Sequence, residues 1–81
     1  MTPQAKIERY ILDDLVQGGS RTSLAPDEPL ISSGLIDSLG MLRLITFLEQ
    51  EMGVTIGDGE VAPENFETLR KISEFVTRKQ A

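Results

Sequence analysis

Cysteine and histidine are both absent from the 81 residues. Without cysteine there is no disulfide and no thiol of the chain's own. Without histidine the commonest general base and the commonest metal ligand are missing. There is no basic excess either: 13 acids stand against 8 bases, for a net charge of −5. A nucleic-acid-binding surface needs a basic stripe to neutralise phosphates, so no nucleic acid is expected as partner, and a basic protein is the more natural one. No apolar run approaches the ~18 residues of a membrane span. The opening MTPQAKIERY lacks the charged-then-apolar order of a signal peptide. Membrane insertion is therefore not expected, and the cytoplasm is the default location. Asp58-Gly59-Glu60 lacks the spaced acids of an EF-hand loop, so no metal site is expected.

What is present is a run of helix signals in a length that allows one domain, 1–81, with a small core and a monomer as the expectation. Thr2-Pro3 is a good helix opening, and Ile7, Ile11 and Leu15, with Leu12 and Val16 beside them, form one apolar face. Gly18-Gly19 stops this helix, giving bounds of Pro3 to Gln17. The connection from Ser20 to Ile36 carries Pro26, Pro29 and Ser32-Ser33-Gly34. A loop of that length is expected where it packs on itself or carries function, and Leu24, Leu30, Ile31, Leu35 and Ile36 can tether it. A second helix opens near Ser38 with Met41, Leu44, Ile45, Leu48 and Met52 as its buried stripe, and ends at Gly53. Val54-Thr55-Ile56 reads as loop for want of a partner strand, and Gly57-Asp58-Gly59 as a turn. Pro63 to Phe66 is one helical turn with Phe66 inward. Thr68 caps a last helix bearing Leu69, Ile72, Phe75 and Val76, which runs to about Lys79, an ordinary solvated helix end. Tyr10 and Phe47 read as core. The expected fold is all-α, a small bundle of three to four helices with a long loop between the first two.

The informative stretch is GLIDSLG, Gly34 to Gly40. Asp37 and Ser38 precede an apolar helix, where side-chain oxygens accept unpaired backbone N–H groups. Asp37 alone satisfies that need, by accepting from Leu39 or Gly40, and Ser38 is then spare. A catalytic serine is a poor reading. Ile36 stands where a nucleophile elbow has its first glycine, and there is no histidine to take the proton. Covalent modification is the third reading. Ser38 ends an exposed loop at a helix N-terminus, a place that favours an attached anion, and Gly40 clears side-chain bulk beside the hydroxyl.

The segment DEPLISSGLIDSLGMLRLITFLEQEMGVTI, with PENFE and a final helix after it, resembles the acyl carrier protein family. The likeness covers most of the chain. It implies the acyl-carrier bundle and a non-enzymatic carrier role, with Ser38 as the attachment point of 4′-phosphopantetheine from coenzyme A. Asp37 and Leu39 flank that point, and Asp37 also helps the phosphopantetheinyl transferase recognise its target. The arm's thiol, which this cysteine-free chain cannot supply, holds acyl or aminoacyl groups as thioesters. The alternative is a helical adaptor that keeps the fold but is never modified.

The resemblance also has departures. The housekeeping carrier of fatty-acid synthesis has acids at the positions matching Gly40, Arg43, Glu49 and Gln50; here only Glu49 is acidic, and Arg43 reverses the sign. Basic docking patches should grip this chain less well. Leu39, Leu42 and Thr46 lie outward of the buried stripe and suggest an apolar docking patch, the alternative being partial burial against the loop. Leu42, Arg43 and Thr46 are the expected partner contacts. DSLGMLRLITFLEQEMG and PENFETLRKI look like stand-alone carriers of specialised pathways, of D-alanyl, peptidyl or polyketide type. The resemblance implies loading by an adenylating acyl or aminoacyl ligase, with downstream enzymes that use the thioester.

Overall fold

The computed structural model describes residues 2–15 and 23–81. The Thr2 hydroxyl accepts the Ala5 N–H at 3.1 Å and Pro3 takes the first position of α1, Pro3–Tyr10, which is how a hydroxyl and a proline start a helix. α1 passes directly into a π-helical turn, Ile11–Leu15. The sequence predicts one continuous α-helix here. Residues four apart stay on nearly the same side in a wider i→i+5 turn as well, so hydropathy spacing does not separate the two. Ile7, Ile11 and Leu15 are buried as expected. Val16, Gln17 and the Gly18-Gly19 stop lie outside the described residues.

From Ser23 to Asp37 the connection is packed and pinned. Leu24, Leu30 and Ile36 enter the core, with Ile31 and Leu35 half-buried against it. The Glu8 carboxylate accepts the Leu24 N–H at 2.8 Å. The Arg70 N–H donates to the Pro26 carbonyl at 3.0 Å, while its guanidinium forks onto Asp27 at 2.8 and 3.1 Å. Gly34 turns the chain with φ 79°, a left-handed value that glycine adopts without strain.

α2 spans Ser38–Met52 and stops at Gly53, which takes the left-handed C-cap conformation, φ 68°. Its buried residues are Gly40, Leu44, Leu48 and Met52, every fourth position, while Met41 and Ile45 are half-buried. The inward face is thus rotated slightly from the expected stripe. Val54 to Ile56 is loop, as read, with Val54 buried and the Ile56 N–H donated to the Glu49 carboxylate at 3.0 Å. Asp58–Glu60 forms a 3₁₀ turn and α3 is the single turn Pro63–Phe66. Phe66 is fully buried, its ring centroid 5.3 Å from that of Phe75. Thr68 caps α4, Leu69–Gln80, by accepting the Lys71 N–H at 3.1 Å.

α4 buries Leu69, Ile72, Phe75 and Val76 and packs chiefly on α1 and α3. Lys79 corrects the sequence reading. Its ammonium lies 2.9 and 3.1 Å from the Glu60 carboxylate oxygens and 5.8 Å from the Phe75 ring centroid. It therefore ties the 3₁₀ turn to α4 rather than standing free. Among the described residues no strand forms, and the fold is all-α.

Candidate functional site

Asp37 is the last residue before α2, extended at φ −90°, ψ −174°, and its Oδ1 accepts the Gly40 N–H at 2.7 Å. This satisfies one of the donors that a helix start leaves unpaired, and sets a carboxylate against the positive end of the helix dipole. Ser38, the first residue of α2, is left spare. It is exposed, and among the described residues its hydroxyl has no hydrogen-bond partner.

Gly40 has a different reason from the one the sequence suggests. It is buried, and a Cβ there would meet Asp37 Oδ1 at 3.2 Å and Ile36 Cγ2 at 3.3 Å. Its missing side chain makes room for the cap and for Ile36, not for the Ser38 hydroxyl. A buried position also cannot present docking charge.

Ser38 stands beside an open, mainly apolar groove of about 710 Å³. Ile31 and Ile36 line it from the loop, Met41 and Leu42 from α2, Val61 from the turn before α3 and Pro63 from the start of α3. Leu42 is 63% exposed and Leu39 59% exposed, so neither is covered by the loop. Leu42 shares the groove with Ser38. Leu39 faces a smaller hollow of about 330 Å³ on the α1 side, together with Asp14 and Arg43.

Leu42, Arg43 and Thr46 meet in a third hollow of about 420 Å³, which Tyr10 and Phe47 also line. The two rings stack at 4.1 Å, 14° from parallel, half-buried against the core. They pack against the core rather than within it, and they line this surface too, so the reading of them as core holds in part. The Tyr10 hydroxyl donates to the Arg43 carbonyl at 3.2 Å; burial and then the Asp14 charge raise its pKa, with Arg43 opposing. The Thr46 hydroxyl is spent on the Leu42 carbonyl at 3.0 Å. Thr46 can therefore offer a partner its methyl group and an acceptor lone pair more readily than a proton.

Glu49, the one acid left at the positions compared with the housekeeping carrier, turns its carboxylate to the Ile56 N–H. The sequence reading missed Val61 and Glu67. Val61 carries a weak signal, an apolar residue isolated after an acidic turn. Glu67 carries none, because its role depends on contacts 35 and 36 residues away. Among the described residues no group of three acids could hold a metal ion, and no helix is long and apolar enough to cross a membrane.

A family model described as phosphopantetheine attachment site matches residues 18–76. A probable acyl carrier protein PigG of Serratia sp. (strain ATCC 39006) is 31% identical over 78 residues, covering 96% of this chain and 88% of its own. A D-alanyl carrier protein of Streptococcus uberis (strain ATCC BAA-854 / 0140J) is 32% identical over 84 residues, covering 99% and 98%. One chain of a solved structure described as "Crystal structure of FAD-dependent dehydrogenase" superposes with a TM-score of 0.77 at 31% identity. The likeness covers 86% of this chain and 97% of that one, so that chain is itself of similar size to this one. The matched family span contains the Asp37 cap, the spare Ser38 hydroxyl and both walls of the groove, and the chain belongs to the acyl carrier protein family, whose prosthetic group is 4′-phosphopantetheine.

Proposed function

We propose that Ser38 is the residue to which 4′-phosphopantetheine is joined, and that the loaded chain carries acyl or aminoacyl groups for a specialised biosynthetic pathway. The observation that carries this reading is the Ser38 hydroxyl, exposed and, among the described residues, without a hydrogen-bond partner at the first position of a 15-residue helix. The residues fit the group. The N-terminus of α2 favours a phosphodiester there. Asp37 fixes where the helix begins, and so where the hydroxyl points. Leu39 flanks the attachment point, and the apolar groove beside Ser38 leaves space along the path of an attached chain. When bound, the group supplies a terminal thiol that holds cargo as a thioester.

Catalysis by the chain itself is not part of this reading. There is no histidine, and the Asp37 carboxylate is engaged by the Gly40 N–H. A serine hydroxyl without a base is a weak nucleophile, so the activating base belongs to the transferase.

The specialised rather than housekeeping assignment rests on α2. Arg43 is exposed beside the apolar Leu42, and Glu49 is turned to the loop. Leu42, Arg43 and Thr46 form the partner contact in this account, with an adenylating ligase as the loading enzyme. The D-alanyl carrier relatives support an aminoacyl group as one class of cargo. The likeness to a chain from a dehydrogenase crystal supports a flavin-dependent dehydrogenase as one class of downstream enzyme.

The test is to offer the modified protein to the adenylating ligase encoded nearest its gene, with ATP and single amino or carboxylic acids. A mass increase that hydroxylamine removes is the expected result. Loading only by fatty-acid enzymes would contradict the specialised assignment.

A further inference from the structure

Glu67 follows α3 directly, its N–H donating to the Pro63 carbonyl at 2.9 Å. Its carboxylate reaches across to the loop before Ser38. Oε2 accepts the Ile31 N–H at 2.7 Å and the Ser32 N–H at 3.0 Å, and Oε1 accepts the Ser32 hydroxyl. Its own carbonyl accepts the Leu30 N–H at 2.7 Å. The Leu30 carbonyl in turn accepts the Ile36 N–H at 3.0 Å, two residues before Ser38. An unbroken chain of hydrogen bonds thus runs from the end of α3 to the threshold of the modified helix.

These contacts join the two walls of the groove beside Ser38. Ile31 and Ile36 stand on one wall; Val61 and Pro63 stand on the other, in the segment that Glu67 ends. One carboxylate, with four acceptor directions, takes three donors from two consecutive residues. Hydrogen bonds to an ionised acceptor are the strong kind. No hydrophobic contact between the walls fixes register in the same way, because apolar packing has no direction.

We propose that Glu67 is a positioning residue for the modification of Ser38, holding the 30–36 turn against α3 so that the serine hydroxyl is presented at a fixed place beside the transferase docking face. The proposal rests on Ser38 being the attachment site. In that reaction Ser38 Oγ attacks the β-phosphorus of coenzyme A and a new O–P bond forms. The bond to the adenosine 3′,5′-bisphosphate leaving group breaks, and the hydroxyl proton passes to a base of the transferase. In this account the transferase docks on the exposed face of α2, whereas the hydrogen bonds of the Glu67 carboxylate go to Ile31 and Ser32. Loss of the carboxylate should therefore act on the presented hydroxyl more than on binding.

The experiment measures transferase kinetics with coenzyme A on wild type, Glu67→Ala, Glu67→Asp and Glu67→Gln, at a temperature where melts show each variant folded. Ala and Asp should lower kcat about tenfold with KM for the carrier nearly unchanged, as a misplaced reacting group does. Gln should recover most of the rate, since its carbonyl can still accept both N–H groups and its amide can donate to the Ser32 hydroxyl. Amide exchange at Ile31 and Ser32 should quicken in Ala and Asp and not in Gln. If Ala does not fold, Asp carries the same comparison. A wild type that is modified at Ser38, with folded Ala or Asp variants modified at the same kcat, overturns the role of Glu67 and leaves the site standing. A wild type that is not modified at Ser38 overturns both.

Discussion

Asp37 and Gly40 are fitted to each other: the Asp37 oxygen that accepts the Gly40 N–H at 2.7 Å would lie 3.2 Å from any Cβ placed on Gly40. The cap and the missing side chain are one device, and it fixes the start of the helix that bears Ser38. Asp37→Ala should cost about 1 kcal/mol in denaturant melts, the usual worth of an N-cap, and Asp37→Asn should recover most of it. Gly40→Ala should fail to deliver the ~1 kcal/mol that alanine ordinarily gains over glycine inside a helix. A full gain at position 40 would show that the close approach is easily relieved.

The core prediction concerns Leu48, which is fully buried in α2, against Leu42, 63% exposed on the same helix. Leu48→Ala should destabilise by about 2–5 kcal/mol, a large share of what a domain this small possesses. Leu42→Ala should change stability by less than about 0.5 kcal/mol. Equal effects in urea melts would mean that the helix faces are assigned wrongly.

Much of this was legible in the sequence because α4 is strongly amphipathic, α2 buries an apolar residue at every fourth position, and the caps of both are written in residue type. Asp37, Thr68 and Gly53 each do what their chemistry suggests. The loop tethers Leu24, Leu30 and Ile36 were legible for the same reason, being apolar residues in a polar stretch. The π-helical turn was not legible, since Ile7, Ile11 and Leu15 suit either helix. Nor were the roles of Glu8, Glu49 and Glu67, whose carboxylates hold backbone N–H groups of loops 7 to 36 residues away. An acid on a helix surface and an acid bonded to a loop look alike in one dimension. The groove beside Ser38 was half legible: Leu42 follows from helix geometry, but Val61 reaches it only through the packing of α3.

Acid should loosen the contacts that Glu67, Glu60 and Asp27 make. Glu67 has its pKa lowered by the Ser32 hydroxyl first and then by the backbone N–H groups of Ser32 and Ile31. Glu60 is lowered by the Gly57 N–H and then Lys79, and Asp27 by Arg70. A lowered folded pKa contributes stability above the unfolded value, 4.5 for Glu and 3.8 for Asp, and that contribution is lost as pH falls through the folded value. The urea midpoint should therefore fall as pH drops below about 4.5, and Glu67→Gln should shrink the fall. A midpoint that holds level down to pH 3 would contradict this account.

Partner choice should respond to the exposed face of α2. Leu42→Ala should weaken loading by the cognate ligase by about 1–2 kcal/mol if Leu42 anchors the contact. Arg43→Glu should slow the cognate reaction and improve recognition by fatty-acid enzymes, most clearly at low salt, where charge complementarity is least screened. Both variants loading like wild type at low salt would show that ligases dock elsewhere.

In the function proposed here Ser38, spare beside its own cap, receives the arm. The most direct measurement is the intact mass, with peptide mapping, of wild type and Ser38→Ala after incubation with coenzyme A and a broad-specificity phosphopantetheinyl transferase. The account predicts one phosphopantetheinyl group on Ser38 of the wild type and none on a folded Ser38→Ala. A group found on Ser32 or Ser33, or no mass gain in the wild type, would contradict it.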